Sequence, residues 1–269
     1  MNDELREWVE DKETVSLQGP GNTLRKFGRG NMATKSARNT LMTQVTTAVV
    51  NETLTTANLV DTLSSTAANT ATIGVQGFTV DTSGDLTYVD QEVTMSGTTG
   101  VTLGTPLSRI TRMYVKEGTF ASPSADVAVN VYASESTNTG LTSGLPSSVA
   151  YCKAIMPGGK NQTEKAQTCT ASNEYAVITS ISATAPEAVS PTGTAACDID
   201  LEIKRKGGVF RPAGIEIAVG AQQRTANTEL NPPVIIPPNS DFRLVGYAST
   251  TDMVVSGAIN GVVYRTQGS

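Results

Sequence analysis

Histidine is absent from this 269-residue chain, so the groups able to do chemistry are carboxylates, three thiols and a cluster of bases. Without imidazole there is no ordinary general base near neutral pH, and no Ser-His-Asp or Cys-His pair can form within one chain. Cys152, Cys169 and Cys197 are widely spaced and make no CxxC pair, which fits neither a disulfide framework nor a zinc site. Buried, reduced thiols are expected, as in a protein made in a cytoplasm. Cys169 lies in GGKNQTEKAQTCTASNEYAVITSI, residues 158–181, with no His or Lys pair to make it a thiolate. That stretch reads as strand, turn, strand.

The carboxylates single out no site. DTSGDLT, residues 81–87, lacks the alternating oxygen ligands and closing Glu of a calcium loop and reads as an Asx-bonded turn. Asp198, Asp200 and Glu202 alternate along one side of ACDIDLEIKRK. A hard cation would suit such a row, but a solvated outer face is the default for a strand. No metal site and no cofactor are expected. The clusters GPG, GRG and PGGK lack phosphate-loop spacing. A glycan-cleaving enzyme needs two carboxylates paired across a cleft, and no spacing picks out such a pair, so no enzyme is expected.

The bases are concentrated. SLQGPGNTLRKFGRGNMATKSARNT, residues 16–40, carries Arg25, Lys26, Arg29, Lys35 and Arg38 and no acid. It has no periodicity, and long segments of this kind are uncommon unless functional or disordered. An extended arm that docks on an acidic partner is expected. Before it, residues 3–13 read as a short helix, with Asp3 and Glu4 in the first turn and Leu5, Trp8 and Val9 on one face. So short a helix is marginal alone, so Trp8 must pack on something. The expected partner-binding residues are Trp8, Arg25, Lys26, Arg29, Lys35 and Arg38. A net charge of −5 argues against general nucleic-acid binding. No apolar stretch approaches the length of a membrane-spanning helix, and the acidic N-terminus predicts no signal peptide.

The elements that must position these groups are strands. Charged residues are 17% and aromatics 5%, and abundant Thr, Ser, Val and Gly suit pleated sheet and tight turns. Residues 1–40 are expected as the arm, 41–72 as a linker with one short helix, and 73–269 as a β body. In the body RITRMYV sets Ile110, Arg112 and Tyr114 against Met113 and Val115. ADVAVNVYA aligns Val127, Val129 and Val131, and YAVITSISATA aligns Tyr175, Val177, Thr179 and Ile181. ACDIDLEIKRK points Cys197, Ile199, Leu201 and Ile203 inward. Lys206-Gly207-Gly208 turns the chain, and Ile215, Ile217 and Val219 return as a hairpin partner. Prolines around Val234-Ile235-Ile236 favour an edge strand. The expected fold is all-β: an antiparallel β-sandwich, jelly-roll-like, one large or two fused small.

QEVTMSGTTGVTLGTPLSRITRMYV (residues 91–115), AIMPGGKNQTEKAQTCTASNEYAVITSI (154–181) and PPNSDFRLVGYAS (237–249) together resemble segments of tailed-bacteriophage virion structural proteins. The turn Ala171-Ser172-Asn173-Glu174 departs from the Pro-Ala-Gly-Lys that the resemblance leads one to expect. It implies a structural component of the particle, in the virion after synthesis in the host cytoplasm. Its partners would be copies of itself and capsid, portal or tail proteins. The alternative is a receptor- or carbohydrate-binding tail module, although exposed aromatics are scarce.

Overall fold

The structure, a computed structural model, describes residues 22–32, 39–42, 56–118, 130–158, 160–185, 196–220, 223–249 and 253–266. It is all-β, with several antiparallel sheets packed together. Along the chain run β1 (Asn22–Met32), β2 (Asn39–Thr40), β3 (Val60–Ser65), β4 (Thr72–Val80), β5 (Leu86–Thr94), β6 (Val101–Leu107), β7 (Arg109–Glu117) and β8 (Val131–Ser134). The short β9 (Leu141–Thr142) and β10 (Leu145–Pro146) precede β11 (Cys152–Met156) and β12 (Gln167–Cys169). The last six are β13 (Glu174–Thr184), β14 (Ala196–Lys204), β15 (Arg211–Gly220), β16 (Thr225–Ile236), β17 (Asp241–Ala248) and β18 (Met253–Arg265).

These strands enclose two main cores. One sheet has the order β1-β18-β13-β16 and faces a sheet ordered β12-β17-β14-β15, with β2 paired to β17. Between them lie Met32, Ile178, Ile181, Ile199, Leu201, Ile236, Phe242, Leu244 and Ile259. Numbered one to eight along the chain, β1 and β12–β18 therefore lie in the orders 1-8-3-6 and 2-7-4-5. The second sandwich-like unit enters between the first and second of these strands. Its sheets are β11-β8-β3-β6 and β5-β4-β7, and Val60, Leu63, Ile73, Val75, Leu107, Ile110, Met113 and Met156 fill the space between them.

Several strands follow their sequence pattern. Cys197, Ile199 and Leu201 are fully buried. Ile199 pairs with Ile217 and Cys197 with Val219 across the β14–β15 hairpin. Gly207 takes a φ of 71° in its turn, a conformation that costs a residue without Cβ little. The Pro-containing β16 is an edge strand.

Elsewhere the pattern is broken. The pairing of β13 with both neighbours shifts between Ile178 and Ser180. Against β18, where Ile178 pairs with Gly261 and Ser180 with Asn260, Thr179 is an inserted residue that changes the face of the strand; against β16 the surplus residues lie in β16 itself. The core side is Ala176, Ile178, Ile181 and Ala183, not Tyr175, Val177, Thr179 and Ile181. Thr111 does the same in β7: Gln76 pairs with Arg112 but Gly77 with Ile110, so Ile110 and Met113 share one core. The outer side of β14 is not solvated either, because Asp200 and Glu202 are each 5% exposed. In the expected linker, Val60–Ser65 forms β3, an interior strand between β8 and β6. Four of its last five residues are Thr, Leu or Ser that are all buried, so it shows no inside–outside alternation. Val127 and Val129 lie outside the described residues.

Candidate functional site

A polar seam where the two units meet carries several buried charges. Arg109 opens β7 of the inserted unit, and Asp241 opens β17 of the other. Arg109 Nε donates to Asp241 Oδ1 at 2.8 Å and Nη2 to Oδ2 at 3.2 Å. This is a two-pronged pair between residues that are 8% and 4% exposed. Beside it, Lys165 Nζ donates to the Ile110 carbonyl at 3.0 Å and the Lys153 carbonyl at 3.1 Å. The Thr111 insertion turns the β7 backbone here, and its carbonyl accepts from Lys26 Nζ of β1 at 3.2 Å. Burial is the main cause that lowers the Lys26 ammonium to about 8, and Arg112 and Lys165 add repulsion.

A second tie is made at the hairpin tips. Asp81 Oδ1 accepts from the Ser83 and Asp85 amides at 2.9 and 2.8 Å, which is the Asx turn expected of DTSGD. Asn239, at a φ of 54°, accepts from the Leu86 amide and donates to Asp85 Oδ1, at 2.8 and 2.7 Å. Lys206 Nζ meets the same Asp85 oxygen at 2.7 Å, which holds that carboxyl below its usual range chiefly through the hydrogen bond. Phe78, Leu86, Cys169 and Ala171 pack below.

The side chains of this seam tie the two units together. The cleft lined by Arg109, Lys165, Gln167, Thr168, Cys169 and Asp241 holds about 10 Å³, close to the minimum for one water and far below a small-molecule pocket of roughly 300 Å³ or more. Among the described residues no three His, Cys, Asp or Glu side chains converge as a metal would require. Glu202 is engaged by Arg243 through Nε at 3.1 Å and Nη2 at 3.0 Å, and the Arg243 guanidinium lies 3.8 Å from the Phe210 ring centroid. That contact accounts for the burial of a carboxylate expected in solvent. No helix among the described residues is long and apolar enough to cross a membrane.

The residues expected to bind a partner are only partly brought together. Trp8, Lys35 and Arg38 lie outside the described residues, as does the expected helix 3–13. Residues 22–32 are not a free arm, because they form β1, paired along its whole length with β18 from Asn22–Val263 to Met32–Met253. Alternation then divides the bases. Lys26 shares the inward side with Leu24 and Gly28 and its ammonium is committed to the Thr111 carbonyl, which turns this expected partner-binding residue away from the outer side of the strand. Arg25 is exposed and Arg29 half-buried, with the 41%-exposed Phe27 between them. A β-carbon on Gly28 would overlap the Leu41 carbonyl and the Ala166 amide, so β1 approaches that backbone too closely for a side chain.

No local pattern points to the Arg109–Asp241 pair: each residue opens an ordinary strand, and 132 positions separate them. No protein-family model matches the chain, and no curated protein matches it. A solved structure described as "Structure of infectious bursal disease virus Gt strain" aligns with 96% of this chain and 79% of that chain, at 10% identity and a TM-score of 0.19. At that score the likeness carries no argument.

Proposed function

We propose that the chain is a structural virion protein of a tailed bacteriophage, attached to the capsid or the head–tail region through its N-terminal segment. The observation that carries this reading is the strand order. Eight strands in the orders 1-8-3-6 and 2-7-4-5 are the arrangement of a jelly roll, an architecture used by viral capsid and lectin domains. A second sandwich inserted after the first strand gives a two-unit body, rigidly keyed by the Arg109–Asp241 pair. The resemblance of residues 91–115, 154–181 and 237–249 to phage virion segments supports the same reading. Copies of the chain, and capsid, portal or tail components, are the proposed partners, and the role is not enzymatic.

Mass spectrometry of purified particles beside a deletion of residues 1–21 tests this. The chain should be present at a copy number set by particle symmetry, and the deletion should fold yet fail to incorporate. Its absence from particles would remove the reading.

One observation favours the alternative, a carbohydrate-binding tail module. On the outer face of β5-β4-β7, Tyr88 is 40% exposed. Near it Gln76 Nε2 donates to Asp90 at 3.1 Å and Arg112 to Gln162 at 3.2 Å. An aromatic ring among planar polar groups suits a sugar, and binding to host-surface glycans, lost in Tyr88→Ala, would favour this alternative.

A further inference from the structure

The outward side of β1 is a basic, partly apolar strip on an edge strand. Arg25, Phe27 and Arg29 lie along about 13 Å of it, opposite Asn260, Ala258 and Ser256 of β18. None of those neighbours carries a charge, and among the described residues neither arginine forms an ion pair. Phe27 is one of few large apolar side chains left exposed. The strip thus presents two uncompensated cations around one ring.

A complementary sequence lies just upstream. Residues 3–13, DELREWVEDKE, hold six acids and two bases, and Leu5, Trp8 and Val9 fall at helical spacing on one side. Eight residues, TVSLQGPG, separate this segment from Asn22. Extended, they reach about 27 Å, twice the length of the strip. Gly19-Pro20-Gly21 is a turn signal directly before the strand, which suits a chain that doubles back.

We propose that residues 3–13 dock on the Arg25–Phe27–Arg29 strip of the same chain, with Trp8 against Phe27 and the carboxylates beside the arginines. A linker of this length gives the segment a local concentration in the millimolar range, so its own strip is favoured over that of another molecule. A second β1 is a poor occupant, because it would set these arginines against their own copies. This inference goes beyond the virion reading and does not depend on it.

Trp8 is the only tryptophan, so the fluorescence of the full chain reports on it directly. At low salt its emission should be blue-shifted, and acrylamide quenching should be several-fold weaker than in urea. Both should move toward the exposed values with added salt. Arg25→Glu with Arg29→Glu should release Trp8, as should Phe27→Ser, whereas Arg25→Lys with Arg29→Lys should retain it. Far-UV circular dichroism checks that each variant keeps its sheets. The signal should not depend on protein concentration. An exposed Trp8 in the unaltered chain, or a buried one indifferent to the charge reversals, would overturn the proposal. So would a blue shift that appears only as the mass doubles, since the occupant would then be a second copy.

Discussion

The core of the first sandwich and the seam that joins it to the second are built from opposite materials. The core is mainly Ile, Leu, Val, Phe, Met and Ala from seven strands in two facing sheets, held by burial that has no preferred direction. The seam holds Arg109, Asp241, Lys26 and Lys165, whose contacts work only at set angles and distances. A core tolerates exchange of one apolar group for another of similar volume. A buried fork on a carboxylate does not. Stability therefore belongs mainly to the cores, and the relative placement of the two units mainly to the seam. That division suits the proposed role of a particle subunit, in which two units would present fixed surfaces to neighbours.

The comparison breaks first in the core. Phe242 is 0% exposed, and Phe242→Ala should cost about 3–5 kcal/mol in urea unfolding. In the other core Leu63→Ala should cost about 2–5 kcal/mol. A loss below about 1 kcal/mol at Phe242 would mean that the sheets do not enclose it.

The seam comes next. Arg109→Ala strands Asp241 in a buried position and should cost about 3 kcal/mol. Arg109→Met with Asp241→Leu should recover most of that loss, because apolar replacement of a buried pair is often neutral. It should not recover the fixed angle between units, so small-angle scattering should show a broader distribution of shapes. A double variant as unstable as the single one would show that the seam also bears stability.

The thiols are a smaller test. All three cysteines are buried, and burial pushes the Cys197 thiol up to about 12, so it is no nucleophile at neutral pH. Cys197→Ser should cost about 1–3 kcal/mol for placing a hydroxyl in the apolar core. Cys152→Ser should cost less: Cys152 Sγ lies 3.5 Å from the Ala154 carbonyl, a nearer acceptor for a hydroxyl than the Asp198 carbonyl at 3.8 Å from Cys197 Sγ. Equal losses would place the two side chains in equivalent surroundings.

The same contrast explains what could be read in the sequence. β14, β15 and the edge strand β16 were legible because alternation and proline act locally. The faces of β13 and β7 are not legible in the sequence because Thr179 and Thr111 are inserted residues, and an insertion shows only against a neighbouring strand. β3 was missed because both its faces are covered, which lets Thr and Ser be buried with Leu63. The basic stretch was legible as a composition but not as a strand: Gly28 and Gly30 look like flexible positions until Leu41 and Met42 are seen pressed against them. Of the seam, only the Asx turn at Asp81 was in reach.

Lys26 gives the smallest effect and the most specific one. Half-buried as a residue, it carries its ammonium inward to Thr111, where burial lowers it from 10.5 to about 8. The folded protein therefore releases this proton at a lower pH than the unfolded chain does. Between about 8 and 10.5 the unfolded state binds more protons, so stability must rise with pH in that window. Below about 7 both states hold the proton, and the cost of burying the charge is fully present. The gain from pH 7 to 8 should be well under 1 kcal/mol, steepening above that toward the limit of about 1.4 kcal/mol per pH unit for one proton. With no histidine in the chain, few other side chains titrate there. Lys26→Met isolates the effect: the variant should lose this upward slope in urea unfolding between pH 7 and 8.5, and should be relatively most stable at the acidic end. Parallel curves for the two proteins would mean that the Lys26 ammonium is solvated, and that β1 does not carry it into the seam.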